Sequence, residues 1–176
     1  MKKYQFKDVL FMRKKSIITV EDEQQSPVGS IKLTKLSGCE QRHSFSFTIG
    51  ENEVVKMGIK KRGITNLLVA TYILYINGKK YILKDKVGNN LLYFCVDGQI
   101  EEENIRVEEN WRGDMEVKVD GRQVAIVKGD KWSGETKVHI NADDDSPLLL
   151  AITILMYFMY KIYNDEADFI ENLIFD

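Results

Sequence analysis

The C-terminal part of the chain contains one long apolar segment, Ser146–Tyr163, which reads SPLLLAITILMYFMYKIY. Ser146 followed by Pro147 is typical of a helix start, because a serine hydroxyl caps the first turn and proline is tolerated in it. From Leu148 onward nearly every side chain is apolar, so the helix predicted over 146–163 has no polar face. Such a helix must be buried on all sides, in protein or in lipid.

The length of the apolar run favours burial in protein. From Leu148 to Tyr163 a helix would be roughly 24 Å long at about 1.5 Å per residue. The hydrocarbon core of a bilayer is about 30 Å thick and is usually spanned by about 20 apolar residues. Both flanks of the run are acidic, and no Lys/Arg cluster beside it would set an orientation in a membrane. We therefore expect a central core helix and no transmembrane span.

Before this helix, from about residue 4 to about residue 140, the pattern is that of short strands. Apolar and polar residues alternate in SIKLT, HSFSFTI and DMEVKVD, which gives each strand one apolar face. Asn-Gly and Asp-Gly dipeptides, the strongest short signals of a hairpin turn, separate several strand-like segments. These dipeptides are Asn77-Gly78, Asp97-Gly98 and Asp120-Gly121. The pattern predicts roughly twelve short antiparallel strands.

The strands and the helix match each other in length. A strand of about six residues spans about 20 Å, so a meandering sheet could close around the helix and cover it on all sides. We predict an α+β fold, a single domain over 1–176, in which a closed antiparallel β-barrel encloses the helix. A hollow, lipocalin-like barrel is the competing fold, but it would require a helix with a polar face. Residues 165–175 are expected to form a short separate amphipathic helix packed on the barrel, or a terminal strand.

Composition narrows the classes of function. The chain has 44% hydrophobic and 30% charged residues and a formal net charge of -2, so no overall positive field favours nucleic acid, and no nucleic-acid partner is expected. Its two cysteines, Cys39 and Cys95, form no CxxC pair, which fits a reduced compartment. The basic N-terminus lacks the continuous apolar run of a secretory signal. We expect a cytoplasmic protein.

The segment ETKVHINADDDSPLLLAITILMYF carries a resemblance to a known family. An extended strand, an Asp-containing turn and an all-round apolar helix beginning Pro-Leu resemble the ending of the tubby C-terminal superfamily. That superfamily includes tubby-like proteins, phospholipid scramblases, plant LURP-one-related proteins and bacterial members. The resemblance implies a barrel threaded by the helix and a lipid-binding role, since tubby-like domains hold phosphoinositide headgroups with basic side chains. No calcium segment, Pro-rich arm or palmitoylation cluster of the scramblase kind is present, so scrambling activity is not implied.

Two basic clusters could contact an anionic surface. The first lies in KMGIKKRG and the second in FMRKKS. Each lysine or arginine near an anionic membrane is worth about 1 kcal/mol, so one cluster could give weak membrane association. The alternative is an ordinary solvated loop. The candidate residues are Lys56, Lys60, Lys61 and Arg62 in the first cluster, and Arg13, Lys14 and Lys15 in the second.

Motifs of catalysis are missing from the sequence. The histidines, His43 and His139, have no HxxxH or HExxH spacing, and no GxSxG, P-loop or GxGxxG is present. We expect no metal, no cofactor and no enzymatic activity. The predicted function is a binding module that associates peripherally with anionic phospholipid or phosphoinositide at the inner face of the membrane. The alternatives are a cytosolic protein-interaction or structural module and, less favoured, an enzyme with a site at the barrel rim.

Overall fold

Twelve strands in the described part of the chain form one closed antiparallel sheet. The computed structural model of the protein describes residues 1–7, 16–62, 69–86, 93–129, 137–143 and 146–175. The strands are β1 Lys2–Lys7, β2 Ile17–Asp22, β3 Pro27–Leu33, β4 Cys39–Ile49, β5 Asn52–Lys60, β6 Thr71–Ile76, β7 Lys79–Asp85, β8 Cys95–Ile100, β9 Glu103–Glu109, β10 Met115–Val119, β11 Arg122–Gly129 and β12 Lys137–Ala142. Helix α1, Pro147–Phe175, follows them.

The barrel is a simple meander. Each strand pairs with its neighbour in sequence, and β1 pairs with β12 to close the sheet, with Tyr4 opposite Ile140. Closure removes the unpaired edges that an open sheet would expose. The prediction of a closed antiparallel barrel of about twelve strands that encloses an apolar helix is confirmed. The hollow barrel is excluded, because the helix occupies the interior.

Helix α1 fills the barrel with apolar side chains. The hydroxyl oxygen of Ser146 accepts a hydrogen bond from the backbone N–H of Leu149 at 3.2 Å and so caps the helix, as predicted. Every residue from Leu150 to Tyr160 is buried. Phe158 stacks on Phe45 of β4, with ring centroids 5.0 Å apart. The strands supply the apolar surroundings that a helix without a polar face requires.

The helix is longer than the sequence pattern predicts. It does not end near Tyr163, and the tail over 165–175 is neither a separate helix nor a strand, because α1 continues without a break to Phe175. No proline or glycine interrupts the stretch after Tyr163, and Glu166 in the continuation is held by Arg62 at the barrel rim. The amphipathic tail therefore extends the core helix out of the barrel.

By length and composition, Pro147–Ile170 could cross a membrane. Its most apolar window of eighteen residues has a mean hydropathy of 1.3, and 67% of that window is buried inside the molecule. Core helices of this kind meet the same criterion of length and hydropathy as membrane spans. In this fold the barrel wall takes the place that lipid would have around a spanning helix.

Two of the three predicted hairpin turns are correct. Asn77 and Gly78 connect β6 to β7 with φ of 49° and 78°, and Asp120 and Gly121 connect β10 to β11 with φ of 48° and 81°. These left-handed conformations are what type I′ turns require.

The third predicted turn is wrong. Asp97-Gly98 lies inside β8, and the turn between β8 and β9 falls at Glu101, which has a φ of 56°. A Cβ at Gly98 would come 2.3 Å from Cδ2 of Leu83 and 2.7 Å from the backbone oxygen of Ile82. The glycine is therefore needed for the close approach of β8 to β7 and not for a turn.

The two ends of the barrel differ. Because all neighbouring strands are antiparallel, α1 enters at the end where β12 finishes and leaves at the opposite end. At the entry end, five strand connections are the short turns at 23–26, 50–51, 77–78, 101–102 and 120–121. At the other end, which we call the helix-exit end, the connections are longer and include residues 34–38, 61–70, 86–94 and 110–114.

Candidate functional site

Arg62 is the centre of a charged cluster at the helix-exit end. Its Nε donates to Oε1 of Glu40 on β4 at 2.9 Å, and its Nη1 and Nη2 donate to Oε2 and Oε1 of Glu166 on α1 at 2.9 and 2.6 Å. The Arg62 side chain is only 9% exposed. Planar, paired contacts of this kind suit a guanidinium. The cluster ties the emerging helix to the barrel rim.

Electrostatics within the cluster favour its ionised form. Burial alone would raise the pKa of Glu40, but hydrogen bonds from Arg62 and His43 outweigh burial and hold this pKa below its usual value. His43 Nδ1 lies 2.6 Å from Oε2 of Glu40. Burial would likewise lower the pKa of Arg62, but its bonds to Glu166 and Glu40 raise that pKa, so Arg62 stays charged at every accessible pH.

A buried acid lies behind this cluster. Asp85, at the end of β7, accepts a hydrogen bond from the backbone N–H of Ala70, and the Tyr72 hydroxyl bonds to the same side chain. Burial raises the pKa of Asp85 to about 6 although both bonds act in the opposite direction. One carboxylate oxygen, Oδ1, has no hydrogen-bond partner in the structure.

The packing around Asp85 leaves no room for a substrate. Tyr72 and Ile59 from the wall meet Met159 and Tyr163 from the helix, and the space between them does not hold even a water molecule. A raised pKa marks many active sites, but buried structural networks perturb pKa values too. We interpret the Arg62–Asp85 region as a structural plug at the helix-exit end and not as a catalytic site.

The outer face of β5, β6 and β7 carries a different arrangement, which we call the basic wall. Pairing places Lys56 opposite Tyr75, and Tyr75 opposite Lys80. In the next row Ile73 lies opposite Ile82, and in the row closest to the helix-exit end Thr71 lies opposite Lys84, with Lys60 ending β5 at that level. The basic wall consists of Lys56, Lys60, Lys80 and Lys84 around Ile73, Tyr75 and Ile82.

Few acids oppose these lysines. On the outward positions of the three strands, within the residues described, Glu53 is the acid present, and its Oε1 pairs with Nζ of Lys56 at 2.8 Å. On the neighbouring strand β8, Asp97 lies opposite Lys84 and pairs with Arg106 and Lys86. Asp85 of β7 points into the barrel, as its bonds to Ala70 and Tyr72 show. Lys60, Lys80 and Lys84 are exposed to solvent. The wall therefore presents net positive charge around one exposed apolar side chain, Ile82, whereas Ile73 beside it is buried.

The structure separates the residues of the first predicted cluster. Lys60 and Lys61 are exposed side by side at the helix-exit end, whereas Lys56 lies four residues back along β5 and is already paired. Arg62 does not belong to the exposed patch, because its guanidinium turns inward to Glu40 and Glu166. The second predicted cluster, Arg13, Lys14 and Lys15, lies outside the described residues.

Lys80 and Lys84 are wall residues that sequence reasoning did not select. Their positions could have been predicted from the sequence, because the Asn77-Gly78 turn sets the register of the β6–β7 hairpin. With that register, Tyr75 faces Lys80 and Thr71 faces Lys84. What a single hairpin does not reveal is that β5 lies next to β6 with Lys56 and Lys60 on the same face.

A shallow groove of about 340 Å³ borders the wall, between the 34–38 connection and the turn at Asn77 and Gly78. Leu36 and Ser37, from the segment between β3 and β4, form one side, and Tyr75 and Lys56 contribute to the other. Glu53 also lines it and neutralises Lys56. The groove is therefore a weaker anion site than the exposed lysines near Lys60.

Metal chemistry has no ready site in the part of the chain that the structure covers. Among those residues, no group of three or more His, Cys, Asp or Glu side chains is arranged to hold a metal ion. Cys39 and Cys95 are both free thiols, each buried in a separate strand.

Comparisons with known proteins add no assignment. No family model matches the chain, and neither a curated protein nor a solved structure is similar to it.

Proposed function

We propose that the protein is a non-enzymatic binding module that associates with anionic phospholipid, including phosphoinositide, through the basic wall. The observation that carries the proposal is the outward grouping of Lys60, Lys80 and Lys84 around Ile82, with little opposing charge. Lysine stems can lie on apolar surface while their ammonium groups reach phosphates. Membership of the tubby-like superfamily is part of the same proposal, and the threaded twelve-strand barrel supports it.

The expected affinity is modest. Each lysine close to an anionic surface contributes about 1 kcal/mol, and the contribution falls off within a Debye length. Lys60, Lys61, Lys80 and Lys84 together would then supply about 4 kcal/mol, enough for reversible association at the membrane surface. In this proposal the module works at the cytoplasmic face of the membrane, where anionic lipids concentrate, and α1 stays in the barrel.

Liposome co-sedimentation tests the proposal. The purified protein is mixed with phosphatidylcholine vesicles, or with the same vesicles containing phosphatidylserine or phosphoinositide, at low and physiological salt. We expect salt-sensitive binding to the anionic vesicles only. Binding to all vesicles regardless of salt would instead indicate insertion of α1 and contradict the proposal.

A matched pair of charge reversals locates the surface. Lys60→Glu changes the wall, and Lys128→Glu makes the same charge change on β11, six strands away around the twelve-strand barrel. We expect Lys60→Glu to weaken binding roughly tenfold or more, since about 1 kcal/mol is lost and repulsion is added, and Lys128→Glu to have little effect. Equal losses would show that net charge and not the wall matters.

The alternative is a protein partner, which the groove between Leu36 and Tyr75 favours because it could seat a side chain of that partner. Absence of binding to every vesicle at low salt would reject the lipid proposal. The same Lys60→Glu and Lys128→Glu variants would then serve to map a protein partner.

A further inference from the structure

Exposed apolar side chains gather at one end of the barrel. Of the seven large apolar side chains exposed in the described residues, five lie at the helix-exit end and one, Met1, lies at the opposite end. Scattered single apolar residues on a surface need no explanation, but a concentration of them does. The five are Ile17, Val69, Tyr93, Trp111 and Phe169.

Three of these residues occupy consecutive connections along the rim. Val69 precedes β6, Tyr93 precedes β8 and Trp111 lies between β9 and β10, with exposures of 40%, 43% and 87%. Neighbouring connections are two strands apart, or roughly 10 Å. Each connection also carries an exposed cation, although that of Lys86 is paired with Asp97 at 3.3 Å. We call this set the aromatic–basic rim; it consists of Val69 with Lys61, Tyr93 with Lys86, and Trp111 with Arg112.

The turn that carries Trp111 is rigidly built. The side-chain oxygen of Asn110 accepts from the backbone N–H groups of Arg112 and Asp114 at 2.9 and 3.1 Å. The Asn110 side-chain nitrogen donates to Oε1 of Glu116 at 3.0 Å, and the Gly113 N–H donates to the Asn110 carbonyl at 2.9 Å. The Trp111 ring is thus held out in solvent by a fixed turn, and little ordering entropy would be lost on binding.

Arg112 completes the pairing at this turn. Its guanidinium carbon lies 4.5 Å from the centroid of the Trp111 ring, a cation–π distance. Tryptophan and tyrosine prefer the boundary between lipid headgroups and acyl chains, and a guanidinium beside them can bond to phosphate. Of the nearby acids, Glu108 pairs with Lys118 and Glu109 accepts from the Tyr160 hydroxyl at 2.9 Å, and Asp114 belongs to the same turn as Trp111.

We infer that the aromatic–basic rim enters the headgroup layer of an anionic bilayer, with Trp111 as its main anchor. This inference rests on the proposed function and specifies how the molecule is oriented. The barrel contacts the bilayer through the part of its rim that runs from the β5–β6 connection to the β9–β10 turn. Lys60 and Lys84 of the basic wall lie next to this part of the rim. On the helix extension at the same end, Asp165 and Asp168 are exposed close to Phe169, and we expect these two acids to keep Phe169 out of the anionic headgroup layer.

Fluorescence of Trp111 measures the insertion directly. The chain has one other tryptophan, Trp132, outside the described residues, and Trp132→Phe leaves Trp111 as the single reporter. With phosphatidylcholine vesicles containing phosphatidylserine, we expect a blue shift of the emission and quenching by brominated acyl chains. Neutral vesicles should produce neither effect.

Substitutions separate the rim from the wall. Trp111→Ser should weaken binding to the same vesicles by at least about tenfold, because the ring loses burial of a large apolar surface. Ile82→Ser removes an exposed apolar side chain from the middle of the basic wall and should weaken binding less than Trp111→Ser does. An equal or larger effect of Ile82→Ser would mean that the wall lies flat on the lipid and would overturn the inferred orientation.

The results also distinguish this inference from the proposed function. Salt-sensitive binding to anionic vesicles without any shift or quenching of Trp111 emission would leave the proposed function standing and overturn insertion of the rim. Absence of binding to all vesicles would overturn both. Circular dichroism of each variant checks that the barrel is intact.

Discussion

Replacing Arg62 by methionine tests whether the charged cluster at the helix-exit end is structural. Methionine keeps much of the apolar stem of arginine and removes the guanidinium, so Glu40 and Glu166 lose the cation that they share. Breaking a buried ion pair from one side costs about 3–5 kcal/mol, because an uncompensated charge stays behind. The two carboxylate side chains are 24% and 19% exposed, and water screens them, so we expect about 2–3 kcal/mol.

The loss should depend on pH. In the wild type, the pKa of Glu40 is below its usual value. The ionised Glu40 carboxylate therefore stabilises the fold at pH values above the pKa of an unfolded glutamate, and this stabilisation is lost as pH falls through the folded pKa. In Arg62→Met, Glu40 loses the cation that lowers its pKa, so this pKa rises and protonation of Glu40 relieves the repulsion between the two carboxylates. The difference in stability between wild type and variant should therefore shrink between about pH 7 and about pH 4.

Thermal unfolding at several pH values is the assay. For a domain of this size, 2–3 kcal/mol corresponds to a fall in Tm of about 5–10 °C near neutral pH. The triple variant Arg62→Met, Glu40→Gln, Glu166→Gln removes the stranded charges and should recover much of the loss. The structural role of the cluster would be refuted if the Tm difference between wild type and Arg62→Met were the same near pH 7 and near pH 4. It would also be refuted if the triple variant were no more stable than Arg62→Met.

Three further predictions address the core. Leu155 is fully buried in the barrel, so Leu155→Asp should abolish the folded circular dichroism spectrum, whereas Phe169→Asp on the exposed part of the same helix should leave it unchanged. Because the folded pKa of Asp85 is raised to about 6, Asp85→Asn should increase the free energy of unfolding at pH 8 by at most about 3 kcal/mol and raise the Tm accordingly. This gain should vanish as pH falls to about 4, and a constant gain would contradict the raised pKa. Gly98→Ala forces a Cβ against Leu83 and should lower the urea midpoint by the equivalent of about 1–3 kcal/mol, and an unchanged midpoint would show that β8 can move away.

The candidate surfaces were only partly accessible from the sequence. Lys60 and Lys61 lie at the end of an amphipathic strand, so their exposure could be predicted, and both belong to the first basic cluster identified from the sequence. Arg62, the next residue, was assigned to the same patch, but it binds Glu166, which is 104 positions away in the chain. The aromatic–basic rim was missed, because Val69, Tyr93 and Trp111 belong to three connections that the barrel brings together.

The sequence by itself determined the alternating strands, the start of the apolar helix and the class of the fold. Alternation along the strands depends only on neighbours two residues apart, and the apolar helix of Leu148–Tyr163 has no arrangement available other than burial. Tertiary structure alone decided which charges are paired and which are exposed. It placed Gly98 in a strand, turned Arg62 inward and set Trp111 beside the other rim residues. Such choices depend on contacts between distant segments, which arise only when the barrel closes around the helix.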